Sequence, residues 1–303
     1  MFEDTKAVAF ALDGTVYRGS QLIDGVDEVI RHCRKLGKSI FFLTNNSSET
    51  RSQIFHKLRG MGIDCTFREV LTSGYAAALH AHRERLSNVY VCGSKNLVSE
   101  CEKLSVHAVE AEEAENMLIG LDPEFDYEKL AVAANVALGA GKVIACNKER
   151  SYPGEDQQLM PGCGGMVASV EWCSGRMVDL TIGKPSTFML KEVSEQLGLA
   201  PAEILVVGDT YDTDILMANK FGSPSVIVSL ALLEGDTSFK TFDSALQRYP
   251  VVDHRVFHEG LHHLRIPQKL LIYAGSDSHR RHHPGQQPYN FIKRCGNRPD
   301  QSK

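Results

Sequence analysis

Short, uninterrupted apolar runs alternate with amphipathic stretches along most of this chain, and that alternation constrains its fold more than any other feature. Residues 7–12 (AVAFAL) are apolar throughout and stop at Asp13-Gly14, the pattern of a strand buried on both faces. Val26, Val29, Ile30, Cys33 and Leu36 then fall at helical spacing, and Gly37 follows as a stop. Further strands are expected over 39–43, 88–92, 117–121, 142–146, 178–182, 204–207 and 225–230. Helical segments separate them, among them 127–138 and 186–197. Strand–helix alternation of this kind predicts an α/β fold with a mainly parallel, Rossmann-like sheet covered on both faces.

The chain's 303 residues are too many for one ordinary core and comfortable for two. No apolar run approaches the roughly 20 residues that span a bilayer, so no membrane partner is expected. The acidic start, MFEDTKAVAF, does not read as a secretory signal. Eight cysteines are scattered without a CxxC pair, which argues against a zinc ribbon or a disulfide framework and points to a reducing, cytoplasmic setting. A net charge of −5 gives no general reason to expect nucleic acid as a partner. The charge is uneven, however: residues 265–303 are net +6, leaving −11 on the remainder. Rich in His, Pro, Gly, Gln and Arg, that segment reads as a basic, poorly ordered tail.

In parallel sheets, ligands sit at the carboxyl ends of strands. Four expected strand ends carry polar groups suited to phosphate and a metal. They are Phe10-Ala11-Leu12-Asp13-Gly14-Thr15, Leu43-Thr44-Asn45-Asn46, Ile182-Gly183-Lys184-Pro185 and Val207-Gly208-Asp209-Thr210-Tyr211-Asp212-Thr213-Asp214. Taken singly, each has a plain reading. Asp13-Gly14 makes an ordinary turn, Thr44 and Asn45 cap the next helix, Gly-Lys-Pro is a loop, and Asp209 and Asp214 are acids favoured near a helix start. Their joint order and placement raise the functional reading above those four.

That order resembles the haloacid dehalogenase superfamily, through a near-DxDGT motif, a strand-end Thr, a Lys and GDxxxTD. LDGTVYRG, FFLTNNSS, GLDPEFDYEKL, MPGCGGM and GDTYDTDI are similar to its NagD-like, 4-nitrophenylphosphatase-like branch, from about Ala7 to Leu230 and weakly on to Leu264. The resemblance implies a magnesium-dependent phosphatase of small phosphomonoesters, such as nucleotide or sugar phosphates, working through an aspartyl-phosphate. Asp13 matches the acid/base that protonates the leaving oxygen and later activates water. Thr44 matches the hydroxyl on a phosphoryl oxygen, and Lys184 the lysine that offsets charge. Gly14, Thr44, Asn45, Asn46 and Lys184 are implied as phosphate or substrate contacts. Asp209, Asp214 and the main-chain carbonyl of Asp13 are implied around Mg2+, Asp214 as a ligand or as an orienter behind it. The nucleophile should be residue 11, which is Ala11 here. Alanine offers neither a nucleophilic atom nor a metal-binding oxygen, so the chain is expected to be inactive or severely impaired. The alternative is a non-catalytic phosphometabolite-binding or regulatory pseudophosphatase.

By the same resemblance the core spans 1–78 and 182–264, an α/β cap of 79–181 selects the leaving group, and dimerisation runs through the cap. Within the cap, residues 146–149 match a segment that tends to read Thr-Asn-x-Asp, departing from it at Cys146 and Glu149. Gly162, Gly164 and Gly165 are read equally well as a turn facing the core site or as a helix start. His254, His258 and His262 recur every fourth residue, which reads as a solvated helix face rather than a zinc site. Trp172, Met166 and Val170 are expected in the core.

Overall fold

The computed structural model describes residues 4–153 and 158–228, together with the backbone of 272–275. β1 (Ala7–Ala11) runs through a two-stranded hairpin of β2 (Tyr17–Arg18) and β3 (Gln21–Leu22) into α1 (Val26–Lys35). Then come β4 (Ser39–Thr44), α2 (Arg51–Gly60), β5 (Val70–Thr72) and α3 (Ser73–Arg83). The middle of the chain forms β6 (Val89–Cys92), α4 (Lys95–Lys103), β7 (Ala108–Val109), β8 (Asn116–Ile119), α5 (Tyr127–Gly139) and β9 (Val143–Ala145). It continues with β10 (Ser151–Pro153), β11 (Leu159–Pro161), α6 (Cys163–Ser174) and β12 (Leu180–Thr181). The last part gives α7 (Phe188–Leu197), β13 (Ile204–Gly208), a π-helical turn (Tyr211–Ile215), α8 (Leu216–Phe221), β14 (Ser225–Val228) and β15 (Ile272–Gly275).

Two main sheets result. The first has the order β15-β14-β13-β1-β4-β5, parallel except for β15, which pairs antiparallel with β14. β1 sits in the middle because it is apolar on both faces. Val8, Phe10 and Leu12 pack with Val26, Ile30 and Cys33 of α1 and Ile54 and Leu58 of α2. Ala7 and Ala9 face the other way, onto Ala76–Ala78 of α3, Met189 and Val193 of α7, and Met217 of α8. β1 to β5 builds outward on one side and β13 to β14 on the other, so the strand order reverses at β1 and opens a crevice at its carboxyl end. The second sheet, β12-β9-β8-β6-β7, is parallel throughout. One of its faces carries α5 and α6, through Ala133, Val136, Met166 and Val170. The other shares a single apolar cluster with the first sheet, in which Val89, Leu97, Leu118 and Ile144 join Ala9, Phe41, Leu71 and Val206.

Several expectations change. Trp172 is 90% exposed, whereas Met166 and Val170 are buried. Met166 and Val170 are four residues apart and share a helix face; Trp172 follows Val170 by two, which turns it about 200° away. The strand expected at 178–182 shrinks to β12, with Asp179 spent on the Val143 N–H (2.7 Å). β5 is an edge strand of three residues, too short to show a pattern. β15 puts a paired strand inside the segment read as a tail without elements. The rest of 265–303, and the His254–His258–His262 row, lie outside the described residues. Among the described residues, no helix is long and apolar enough to cross a membrane.

Candidate functional site

The row Ala7, Ala9, Ala11, Asp13 runs along one face of β1 and out of its carboxyl end. Ala11 is buried. Beyond it the chain turns back at once. Thr15 and Val16 donate their N–H groups to Leu12 O (3.1 and 2.8 Å), and Gly14 N–H donates to Tyr17 O (2.9 Å). Gly14 takes φ +79°, and a Cβ there would lie 2.2 Å from Asp209 Oδ2. Only glycine lets the β1 turn and the end of β13 approach this closely. Thr15 Oγ1 donates to Asp209 Oδ1 (3.1 Å), which fixes the carboxylate against the turn.

Thr44 ends β4 and is buried. Its Oγ1 accepts the Asn46 N–H (3.0 Å), which leaves the hydroxyl proton to be given elsewhere. The two asparagines that follow have their side chains committed within the chain. Asn45 brackets the main chain of Lys184, its Oδ1 accepting the Lys184 N–H (2.8 Å) and its Nδ2 donating to Lys184 O (3.1 Å). Asn46 builds the next turn, its Oδ1 accepting the N–H groups of Ser48 (3.0 Å) and Glu49 (2.9 Å), and its Nδ2 donating to Glu49 Oε2 (2.7 Å). Both side chains shape the loop.

Lys184 and Asp214 form a buried ion pair, Nζ to Oδ1 2.7 Å, with side chains 9% and 2% exposed. Asp214 Oδ2 accepts the Thr210 N–H (3.2 Å), so both its oxygens are engaged. Asp214 thereby holds the lysine in place. Burial alone would lower the Lys184 pKa; Asp214 beside it, with Glu149 and Asp209, holds it above the ordinary value and keeps the ammonium charged. The Asp209 carboxyl is pushed up by burial and by the charge of Asp214, against the pull of Lys184 and Thr15. Burial also raises the Asp13 carboxyl, with Lys57 and Lys184 pulling it down. It stays open to solvent along one edge, which limits that rise. Tyr17 OH donates weakly to Asp13 Oδ2 (3.4 Å).

The oxygen groups gathered at this strand end are of the kind a hard divalent cation takes. The Asp209 carboxylate, whose oxygens accept the hydroxyls of Thr15 and Thr210, and the Asp13 main-chain carbonyl are the groups that would hold it. Among the described residues no group of three His, Cys, Asp or Glu side chains converges closely enough to bind a metal unaided. With alanine at position 11, the set fits a magnesium ion completed by water and a ligand phosphate, held more loosely than by two free carboxylates.

The second sheet also reaches the site. Glu149 lies close enough to Lys184, Asp13 and Asp214 for each to act on its carboxyl, which burial raises and Lys184 draws back. Asn147 is buried and donates from Nδ2 to Asn45 O (2.7 Å). Gly162 and Gly164 press on this segment: a Cβ on them would lie 2.3 Å from Glu149 O and 2.6 Å from Lys148 O. Their work is main-chain packing beneath Glu149. Neither Asn147 nor Thr15 stood out as a site residue in the sequence. The Thr of DGT was visible there, but its contact with Asp209, 194 residues away, was not.

Two family descriptions match the chain, Haloacid dehalogenase-like hydrolase over residues 8–107 and HAD-hydrolase-like over 181–238. Sugar-phosphatase AraL of Bacillus subtilis (strain 168) is 36% identical over 219 residues, covering 72% of this chain and 80% of the relative. The chain belongs to the haloacid dehalogenase-like hydrolases. Acid sugar phosphatase of Staphylococcus aureus (strain USA300) is 34% identical over 224 residues, 74% of this chain and 86% of that protein. The solved p-nitrophenyl phosphatase from Archaeoglobus fulgidus superposes with a TM-score of 0.75 at 29% identity, covering 83% of this chain and 95% of its own. Within the haloacid dehalogenase-like hydrolases these likenesses place it in the NagD-like, 4-nitrophenylphosphatase-like branch. The first sheet is the Rossmann-like core of that fold and the second belongs to its α/β cap.

Proposed function

We propose that this hydrolase binds a small phosphomonoester, a sugar or nucleotide phosphate, at the carboxyl end of β1, and that it turns this ligand over extremely slowly because its nucleophile position is Ala11. The relatives named as sugar phosphatases support the substrate class. The observation that carries the reading is Ala11 itself, at the end of the row that leads to Asp13, where the following turn at Gly14 packs against Asp209. The Thr44 hydroxyl donates to a phosphoryl oxygen. Lys184, held charged by Asp214, offsets the phosphate charge. Asp13 stands where a leaving oxygen would need a proton. Magnesium, held by Asp209 and the Asp13 carbonyl, supplies charge neutralisation at the phosphate when bound.

No aspartyl-phosphate can form on an alanine. Loss of a covalent nucleophile costs on the order of a millionfold in turnover. The second reading, a phosphometabolite-binding pseudophosphatase, is favoured by the same residue, because the binding groups Thr44, Lys184 and Asp209 persist around it. Restoring the carboxylate separates the two. Ala11→Asp is assayed for magnesium-dependent hydrolysis of a panel of phosphomonoesters, with Ala11→Asp/Asp209→Ala as control. Gain in the first and loss in the second support a phosphatase lacking one residue. A folded, metal-binding Ala11→Asp protein that hydrolyses nothing hands the conclusion to the binding-protein reading. The lack of disulfides among the described cysteines agrees with a cytoplasmic protein. The exposed Trp172, Tyr127 and Leu138 on α5 and α6 support a homodimer formed through the cap.

A further inference from the structure

The cap touches the phosphate site through a continuous run of buried polar groups. Asn147, at the carboxyl end of β9, is 2% exposed. Its Nδ2 donates to Asn45 O (2.7 Å) and more weakly to Ser73 Oγ (3.3 Å), and its Oδ1 accepts the Glu149 N–H (3.0 Å). Ser73 Oγ donates to the same Asn45 carbonyl (2.7 Å). Asn45 in turn holds Lys184 by both its N–H and its carbonyl, and Lys184 Nζ meets Asp214. The main chains are jammed together at this point. Gly183 N–H donates to Cys146 O (2.7 Å), and a Cβ on Gly183 would lie 2.5 Å from Asn45 Oδ1 and 2.8 Å from Asn147 Cβ.

Buried polar groups are costly unless satisfied, and a satisfied network fixes one arrangement. Each member here has its partners, and the members come from opposite sides of the cap–core boundary. The carbonyl of Asn45 is the joint. Two donors hold it, and its own amide sets where the Lys184 main chain stands. The geometry points to Asn147 as a positioning residue that acts through Asn45 on Lys184. The cap thereby sets the place of the lysine that meets phosphate. This rests on the proposed reading that phosphate binds between Thr44 and Lys184. The role differs from a cap anchor, which would contribute stability alone.

Two measurements on the full chain test it. Inorganic phosphate is titrated calorimetrically, with magnesium present, into the parent chain and Asn147→Ala. The same comparison is made in a Lys184→Met/Asp214→Asn background, where the ammonium and the carboxylate it would leave unpaired are both gone. Asn147→Ala is expected to weaken phosphate binding roughly tenfold in the parent and to change nothing in that background. Equal losses in both would overturn the proposal, because the effect would not pass through the lysine. Hydrogen exchange, read without phosphate, follows the Lys184 amide that Asn45 Oδ1 accepts. It should exchange faster in Asn147→Ala while the amides of α7 keep their protection. An unchanged Lys184 amide sinks the relay whatever the titrations give. A parent chain that binds no phosphate counts against the proposed function instead, and the exchange experiment still decides this inference.

Discussion

The two parallel sheets of this protein use the same edge for different ends. In the core sheet the carboxyl ends of β1, β4 and β13 deliver Asp13, Thr44 and Asp209 to one crevice. In the cap sheet the carboxyl ends of β8 and β9 deliver main-chain and amide contacts to the loop after β4. Leu121 N–H donates to Ser47 Oγ (2.9 Å) and Asn147 to Asn45 O (2.7 Å). Both edges are where a parallel sheet gathers loops. The core edge carries charge and hydroxyl groups suited to phosphate, and the cap edge carries clamps. On the proposed reading, the phosphate chemistry falls to a few side chains of the core sheet, while both sheets contribute to placing them.

The largest test of that division is Ala11→Asp. If the core edge alone holds the chemistry, this one change should raise phosphomonoester hydrolysis by several orders of magnitude, up to roughly a millionfold. Steady-state assay with and without magnesium measures it. Next in size is Lys184→Met. It leaves the Asp214 carboxylate buried without its partner and should cost about 3–5 kcal/mol of stability by denaturant titration. Adding Asp214→Asn should recover much of that loss.

Ala11 and Lys184 could be singled out in the sequence, Lys184 because Gly-Lys-Pro follows the short stretch that forms β12 and Ala11 because it stands near the end of a local apolar run. The succession of β1, β4, β13 and β14 could be read for the same reason. What escaped lies in contacts between distant segments. Nothing near Asn147 in sequence announces a partner 102 residues away. Asn45 and Asn46 were expected as phosphate contacts; Asn46 uses its short amide on the turn beside it, as such amides often do, whereas the bond of Asn45 to the Lys184 main chain, 139 residues away, could not be read locally. Trp172 was expected in the core as sharing a helical spacing with Met166 and Val170, although its two-residue offset from Val170 put it on the other face of α6.

A smaller effect concerns the metal. The Asp209 carboxyl is held above its ordinary 3.8 and must lose its proton to take magnesium. Magnesium affinity should therefore rise with pH through that raised value, by up to about tenfold per pH unit below it, and level off above. Calorimetric titrations from acidic to neutral pH would show it; an affinity that falls as pH rises would remove Asp209 from the site. The smallest expected effect is on the cap's outer surface. Trp172→Ala should shift stability by no more than about 0.5 kcal/mol, yet it should lower the dimer fraction in sedimentation. An unchanged monomer–dimer balance would take Trp172 out of the interface.

The apolar cluster that runs from Ala9 and Phe41 to Leu118 and Ile144 has a consequence for how the chain can be divided. By topology the cap is an insertion, and insertions invite excision. By packing it is half of a shared interior. A cap fragment cut free would carry Val89, Leu97, Leu118 and Ile144 into water on one whole face of its sheet, and the remaining core would be left with Phe41 and Leu71 uncovered. Each piece would keep the cluster on its other face, Phe10 with Ile54 and Leu58 in the core and Val136 with Met166 in the cap, but would lose the shared one, so excision should cost both parts stability.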